Sequence, residues 1–145
     1  MLLRVARLAA GATQREFAAS LGIAQPNLAA IESGRRTVSA EYLAELLEAA
    51  GYRPSLALSR ARDQVLESAA KYGFSNVRVF GSIAAGTDDF GSDIDLLVDA
   101  PPAIGIEFGL LADDIEQLTG FPVDLLIDRP GKTFIEAIRP MAVAV

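Results

Sequence analysis

Gly81-Ser82, ten further residues, and then Asp93-Ile94-Asp95 running into Leu96-Leu97-Val98 form the one stretch of this 145-residue chain whose residue types and spacing can do chemistry. Acids two apart in a strand leave the same face, so Asp93 and Asp95 are expected to converge on one point. Carboxylates that close repel each other unless a cation lies between them. Ile94, Leu96 and Val98 then point the other way into a core, which fixes the strand's register and the aim of the aspartates. At the other end of the segment, Gly81 lets a phosphate approach the backbone and Ser82 can cap the next helix and offer a hydroxyl. Gly86 and Ser92, within the same segment, join them as candidate nucleotide contacts, and Arg129 is a candidate cation. An anion site linked to a metal site is the chemistry of a nucleoside triphosphate.

A third carboxylate is expected from Asp124, the one acid inside the apolar run Val123-Asp124-Leu125-Leu126. Three aspartates suit a two-metal arrangement in which Asp124 is both ligand and general base. The chain has no cysteine and no histidine. Disulfides, zinc sites of the usual ligands, Cys-His dyads and Ser-His-Asp triads are therefore excluded, and any metal must be held by oxygen, which favours magnesium, manganese or calcium.

The net charge of −6 is unevenly spread. Residues 1–60 carry seven arginines against five glutamates, whereas residues 61–145 carry six basic against fourteen acidic side chains. DNA contact is thus expected from the first half, weak and salt-sensitive unless the protein oligomerises. No apolar run approaches the ~20 residues of a membrane span, and arginines interrupt the first residues where a signal peptide would be apolar. A cytoplasmic protein without membrane contact is expected.

The elements that position these residues fall into two groups. Leu2 to Ala10 reads as a helix with Leu2, Val5 and Leu8 or Ala9 inward; Thr13-Gln14-Arg15-Glu16 is a capping box opening a second. Ala24 to Ser33 forms a third, with Pro26 in its first turn, and Ser39 to Ala50 a fourth that buries Tyr42, Leu43, Leu46 and Leu47. At Arg53 to Arg60, Pro54 and the alternation of Leu56 and Leu58 predict a linker or short strand, and the domain boundary. Helix is then expected over 61–72, 82–85, 106–118 and 133–138, and strand over 77–80, 94–98 and 123–127. Asp113, Asp114 and Glu116 read as a solvated helix face, and Asp88 and Asp89 as a polar loop. The fold class is α+β: an all-α domain over residues 1–53, a connector over 54–60, and a small α+β domain with a mixed sheet over 61–145.

Gly81-Ser82, the ten-residue gap, Asp93-Ile94-Asp95 and Asp124 together resemble the minimal nucleotidyltransferases of the DNA polymerase beta superfamily, in particular the MNT antitoxins that pair with HEPN ribonuclease toxins. The resemblance implies an ATP substrate, Mg2+ or Mn2+ as cofactor, and transfer of AMP to a toxin hydroxyl, a tyrosine being the expected acceptor. Such proteins often carry arginine before the second glycine of the loop, where this chain has Ala85. The lost charge-assisted contact is worth roughly 1.5–3 kcal/mol, and Arg129, Lys132 or Arg78 is a candidate replacement. Without one, the alternative is a catalytically weak protein that neutralises its toxin by binding alone; a transferase acting on a small molecule ranks last.

Residues 2–51 resemble the lambda-repressor-like (Xre) helix-turn-helix, on the block from Thr13-Gln14-Arg15-Glu16-Phe17-Ala18 to Ile31-Glu32-Ser33-Gly34-Arg35. The resemblance implies that Gln25, Pro26, Asn27 and Ala30 face the major groove of operator DNA, with Gln14, Arg35, Arg36 and Thr37 near phosphate. Glu32 is expected to be structural. A dimer on a palindrome, or a hetero-oligomer with the toxin, is the expected assembly.

Overall fold

The structure is a computed structural model that describes residues 2–145. Its first part is four short helices, α1 (Leu2–Ala9), α2 (Gln14–Ser20), α3 (Gln25–Glu32) and α4 (Ala40–Ala49). The capping box at Thr13 forms as the sequence predicts: the Glu16 amide donates to the Thr13 hydroxyl, and the Thr13 amide donates to the Glu16 carboxylate at 2.9 Å. Ser39 caps α4 by accepting from the Tyr42 amide at 3.1 Å. Two faces differ from expectation. In α1 the fully buried pair is Leu3 and Ala6, while Leu8 is 43% exposed, because α1 packs against α3 and α4 and also against the helix that follows them. Tyr42 lies at the exposed start of α4.

That following helix corrects the expected connector. α5 (Pro54–Lys71) runs unbroken for 18 residues through the segment read as linker or strand. Pro54 occupies the first helical position, where its missing amide hydrogen has no intrahelical partner to lose. Ala57, Leu58, Ala61, Val65 and Ala69 make the inward stripe, a helical period that the Leu56/Leu58 alternation masked.

The rest is a four-stranded sheet with helices on both faces. β1 (Ser75–Val79), α6 (Gly81–Ala85), β2 (Ile94–Asp99), α7 (Glu107–Thr119), β3 (Val123–Ile127), α8 (Thr133–Ile138), a 3-10 turn (Arg139–Met141) and β4 (Val143–Ala144) follow in order. The sheet order is β3-β2-β1-β4, with β2 and β3 parallel and β1 antiparallel to β2 and β4. The sheet is therefore mixed, as expected, and the apolar tail supplies its fourth strand. Ile94, Leu96, Val98 and Leu125 join the main core with α5 and α7, whereas Leu97 packs on the opposite face with Phe80, Ile135 and Ile138.

One continuous core runs from Leu3 and Leu28 through Tyr52 and Val65 to Ile115 and Phe121, so the helical part and the sheet are welded. At the weld the buried Tyr52 hydroxyl donates to the Thr119 carbonyl at 3.0 Å, and burial pushes that phenol up to about 12. Its ring lies 5.3 Å from Phe121, which in turn meets Phe90 edge-on at 5.8 Å. Asp88 accepts from the Ser55 amide at 2.8 Å, capping α5 from a loop 33 residues away. Asp114 is likewise more than a solvated acid: the hydroxyls of Ser68 and Tyr72 donate to it and hold its carboxyl below the usual range. Glu116 accepts from the Val123 amide at 3.0 Å and ties α7 to β3.

Candidate active site and nucleic-acid interface

The strand pairing brings two of the three expected carboxylates together, while Asp93 lies just outside the strand it was expected in. Asp95 and Asp124 stand opposite each other as direct partners in the parallel β2–β3 ladder, so their side chains share a face. Asp93, exposed, lies two residues before Asp95, across the buried Ile94. Burial raises the Asp95 carboxyl above its ordinary value, and the charges of Asp124 and then Asp93 raise it further. Gly81 closes the site from the side of β1. A Cβ built on it would lie 2.1 Å from Asp95 Oδ2, and its φ of +67° is one that other residues avoid. The backbone at 81 and the carboxylate at 95 are thus packed directly against each other.

A divalent cation suits this donor set: all the ligands are oxygens, they carry the same charge, and the central one is already penalised for carrying it. As they stand, no three acidic side chains among the described residues enclose a ready-made ion site. Asp93 and Asp124, both exposed, have room to turn toward Asp95.

Other expected nucleotide contacts are placed differently. α6 begins at Gly81 with Phe80 as its N-cap residue and no side-chain cap, so Ser82 lies inside the first turn and is not a cap. Gly86, with φ +70°, ends that helix. The Ser92 hydroxyl is used within its own loop, accepting from the Asp89 amide at 3.0 Å and donating to Asp89 Oδ1 at 3.2 Å. Of the three candidate cations, Arg78 is committed elsewhere: its guanidinium donates to Asp128 at 2.9 Å and Asp99 at 2.8 Å. Arg139 completes this cluster with a 2.6 Å contact to Asp128, whose carboxyl these arginines hold down to about 2. Arg129 and Lys132, in the loop between β3 and α8, are exposed and make no salt bridge among the described residues. The cluster had a signal in the sequence: Asp95, Leu97 and Asp99 alternate with the same parity as Asp124, Leu126 and Asp128. Asp99 at the end of β2 and Asp128 just past β3 therefore follow the parity of Asp95 and Asp124 at the far end of the strands, and only the Asp95 end is packed on Gly81.

In the helical part, Glu32 is structural, as expected. It is buried and accepts from Arg7 at 2.8 and 3.1 Å and from the Gln14 amide at 2.9 Å. Gln14 Oε1 then accepts from Gln25 Nε2 at 3.0 Å. Gln25, Pro26 and Asn27 are exposed at the start of α3, and Arg35, Arg36 and Thr37 are exposed just after it. Arg36 donates to the Asn27 side-chain carbonyl, joining the two groups into one polar surface.

Residues 61–144 match the family described as nucleotidyltransferase domain, which is more than half of the chain. The chain belongs to the nucleotidyltransferase domain family. Residues 3–56 match the family described as helix-turn-helix. A solved structure described as that of a minimal nucleotidyltransferase is 31% identical, with 63% of this chain and 95% of that one covered and a TM-score of 0.57. No curated protein sequence matches the chain significantly. The protein thus joins a segment that matches a helix-turn-helix family to a nucleotidyltransferase domain, in one welded molecule.

Proposed function

We propose that this nucleotidyltransferase is an antitoxin and autoregulator: residues 1–53 bind operator DNA, and the second part transfers AMP from ATP to a hydroxyl of a cognate HEPN-type toxin. The observation that carries the transferase reading is the pairing of Asp95 with Asp124 beside a glycine that abuts the Asp95 carboxylate. In the reaction the acceptor oxygen forms a bond to the α-phosphorus, the bond from that phosphorus to the bridging β-phosphate oxygen breaks, and pyrophosphate leaves. Asp124, exposed and paired with Asp95 across the ladder, would take the acceptor's proton. Asp93, Asp95 and Asp124 would hold Mg2+ or Mn2+, which supplies charge neutralisation on the phosphates. Arg129 and Lys132 are the exposed cations left to meet the triphosphate once Arg78 is tied to Asp99 and Asp128.

The protein acceptor is favoured by the company the site keeps. Its core is shared with a helix-turn-helix module. The experiment is incubation with α-labelled ATP, Mg2+ and the product of the adjacent gene. Label passes to the toxin with the native chain and is lost in the Asp93→Asn, Asp95→Asn double variant. Neutralisation without transfer by either protein would replace this reading with that of an antitoxin acting by binding alone.

A further inference from the structure

Beside Gly81 the molecule has a cavity of about 470 Å3 between α6 and α8, with Gly81, Ala84 and Ala85 on one wall and Phe134, Ile138 and Met141 on the other. Every side chain lining it is apolar. Phe134 and Met141 are 62% and 63% exposed, so an aromatic face and a thioether stand uncovered at its mouth. The cavity borders the active site: Gly81, which lines it, is also the residue packed on the Asp95 carboxylate.

We propose that this cavity seats the nucleobase of the substrate, held by stacking on Phe134 and by apolar contact, without hydrogen-bond readout of the base edge. The proposal rests on the transferase reading, since it needs the phosphates on the Gly81 side of Asp95. The argument is one of chemistry and reach. An aromatic ring and a polarisable sulfur favour a flat π-system, and such stacking accepts any base because every base has a π face. No side chain on the walls offers a donor or acceptor with which adenine is told from guanine. The consequence is a transferase site that accepts all four nucleoside triphosphates with similar affinity.

Calorimetric titration tests this on the full chain with Mg2+ and, in turn, ATP, GTP, CTP, UTP and inorganic tripolyphosphate. The native protein is expected to bind the four nucleotides within about tenfold of one another and more tightly than tripolyphosphate. Phe134→Ala should weaken all four by about fivefold to a hundredfold and leave tripolyphosphate unchanged. Phe134 is mostly exposed, so the variant should fold, and Met141→Ala provides a second, smaller reduction. Unchanged nucleotide affinity in both variants overturns the assignment and makes the strip a protein-docking surface. A preference above about a hundredfold for one base overturns it too. If tripolyphosphate and nucleotides bind equally, the base subsite falls while the transferase reading stands; if neither binds the native chain, both fall.

Discussion

A methyl group on Gly81 has no space, since it would arrive 2.1 Å from Asp95 Oδ2. Gly81→Ala must move either the loop or the carboxylate, and must also hold φ at +67°. The expected result is a loss of more than about 1 kcal/mol of stability in urea denaturation, together with weaker binding of Mn2+ by the metal-free protein. Unchanged metal affinity would mean that the contact does not set the position of Asp95. Asp128 makes a separate prediction. Its carboxyl, pushed down from 3.8 to about 2 by Arg139 and Arg78, stabilises the fold fully above the unfolded value. That stabilisation is lost as pH falls from about 4 toward 2. In Asp128→Asn this acid-dependent loss should shrink, seen as a flatter dependence of the urea midpoint on pH over that range; an unchanged slope would contradict it. The sequence made the shared face of Asp95 and Asp124 legible because strand parity fixes which side chains lie together, whereas Asp93 falls just before β2. It did not reveal that Arg78 is spent on Asp99 and Asp128, since which end of a strand meets which partner depends on the sheet order.

Element by element, periodicity located nearly every helix and strand, and failed where two periods overlap. Leu56 and Leu58 fit a strand's alternation, but Ala57, Leu58, Ala61 and Val65 fit a helix, and the helix forms. Small alanines on the buried face carry little signal in a hydrophobic pattern, and Pro54 looks like a breaker although it begins the helix. The two readings differ measurably. In a strand Leu56 and Leu58 would be equivalent; in α5, Leu58 is buried and Leu56 only partly so. Leu58→Ala should therefore cost about 3 kcal/mol and Leu56→Ala about 1 kcal/mol or less in equilibrium denaturation. Equal losses would argue for an extended segment. β4 escaped notice for another reason: a two-residue strand has no period, and only its pairing with Arg78 and Val79 defines it.

At the scale of the molecule, the boundary drawn between the two halves is a division of function and not of packing. Leu3 and Leu28 belong to the same core as Ile115 and Phe121, and α1 packs directly on α5. Thermal unfolding followed at the aromatic side chains and at the backbone should accordingly give one coincident transition. Two separated transitions would show that the halves fold independently. The weld also bears on how such a protein is inherited or engineered. The helix-turn-helix head is not a cassette that can be exchanged at residue 60. A graft cut there would leave Asp88 without the Ser55 amide it caps and the Phe121 ring without Tyr52 beside it. Any new head must bring its own tyrosine and its own helix start, so variation in this head should arise by substitution on the exposed surface of α3 and not by shuffling of whole domains.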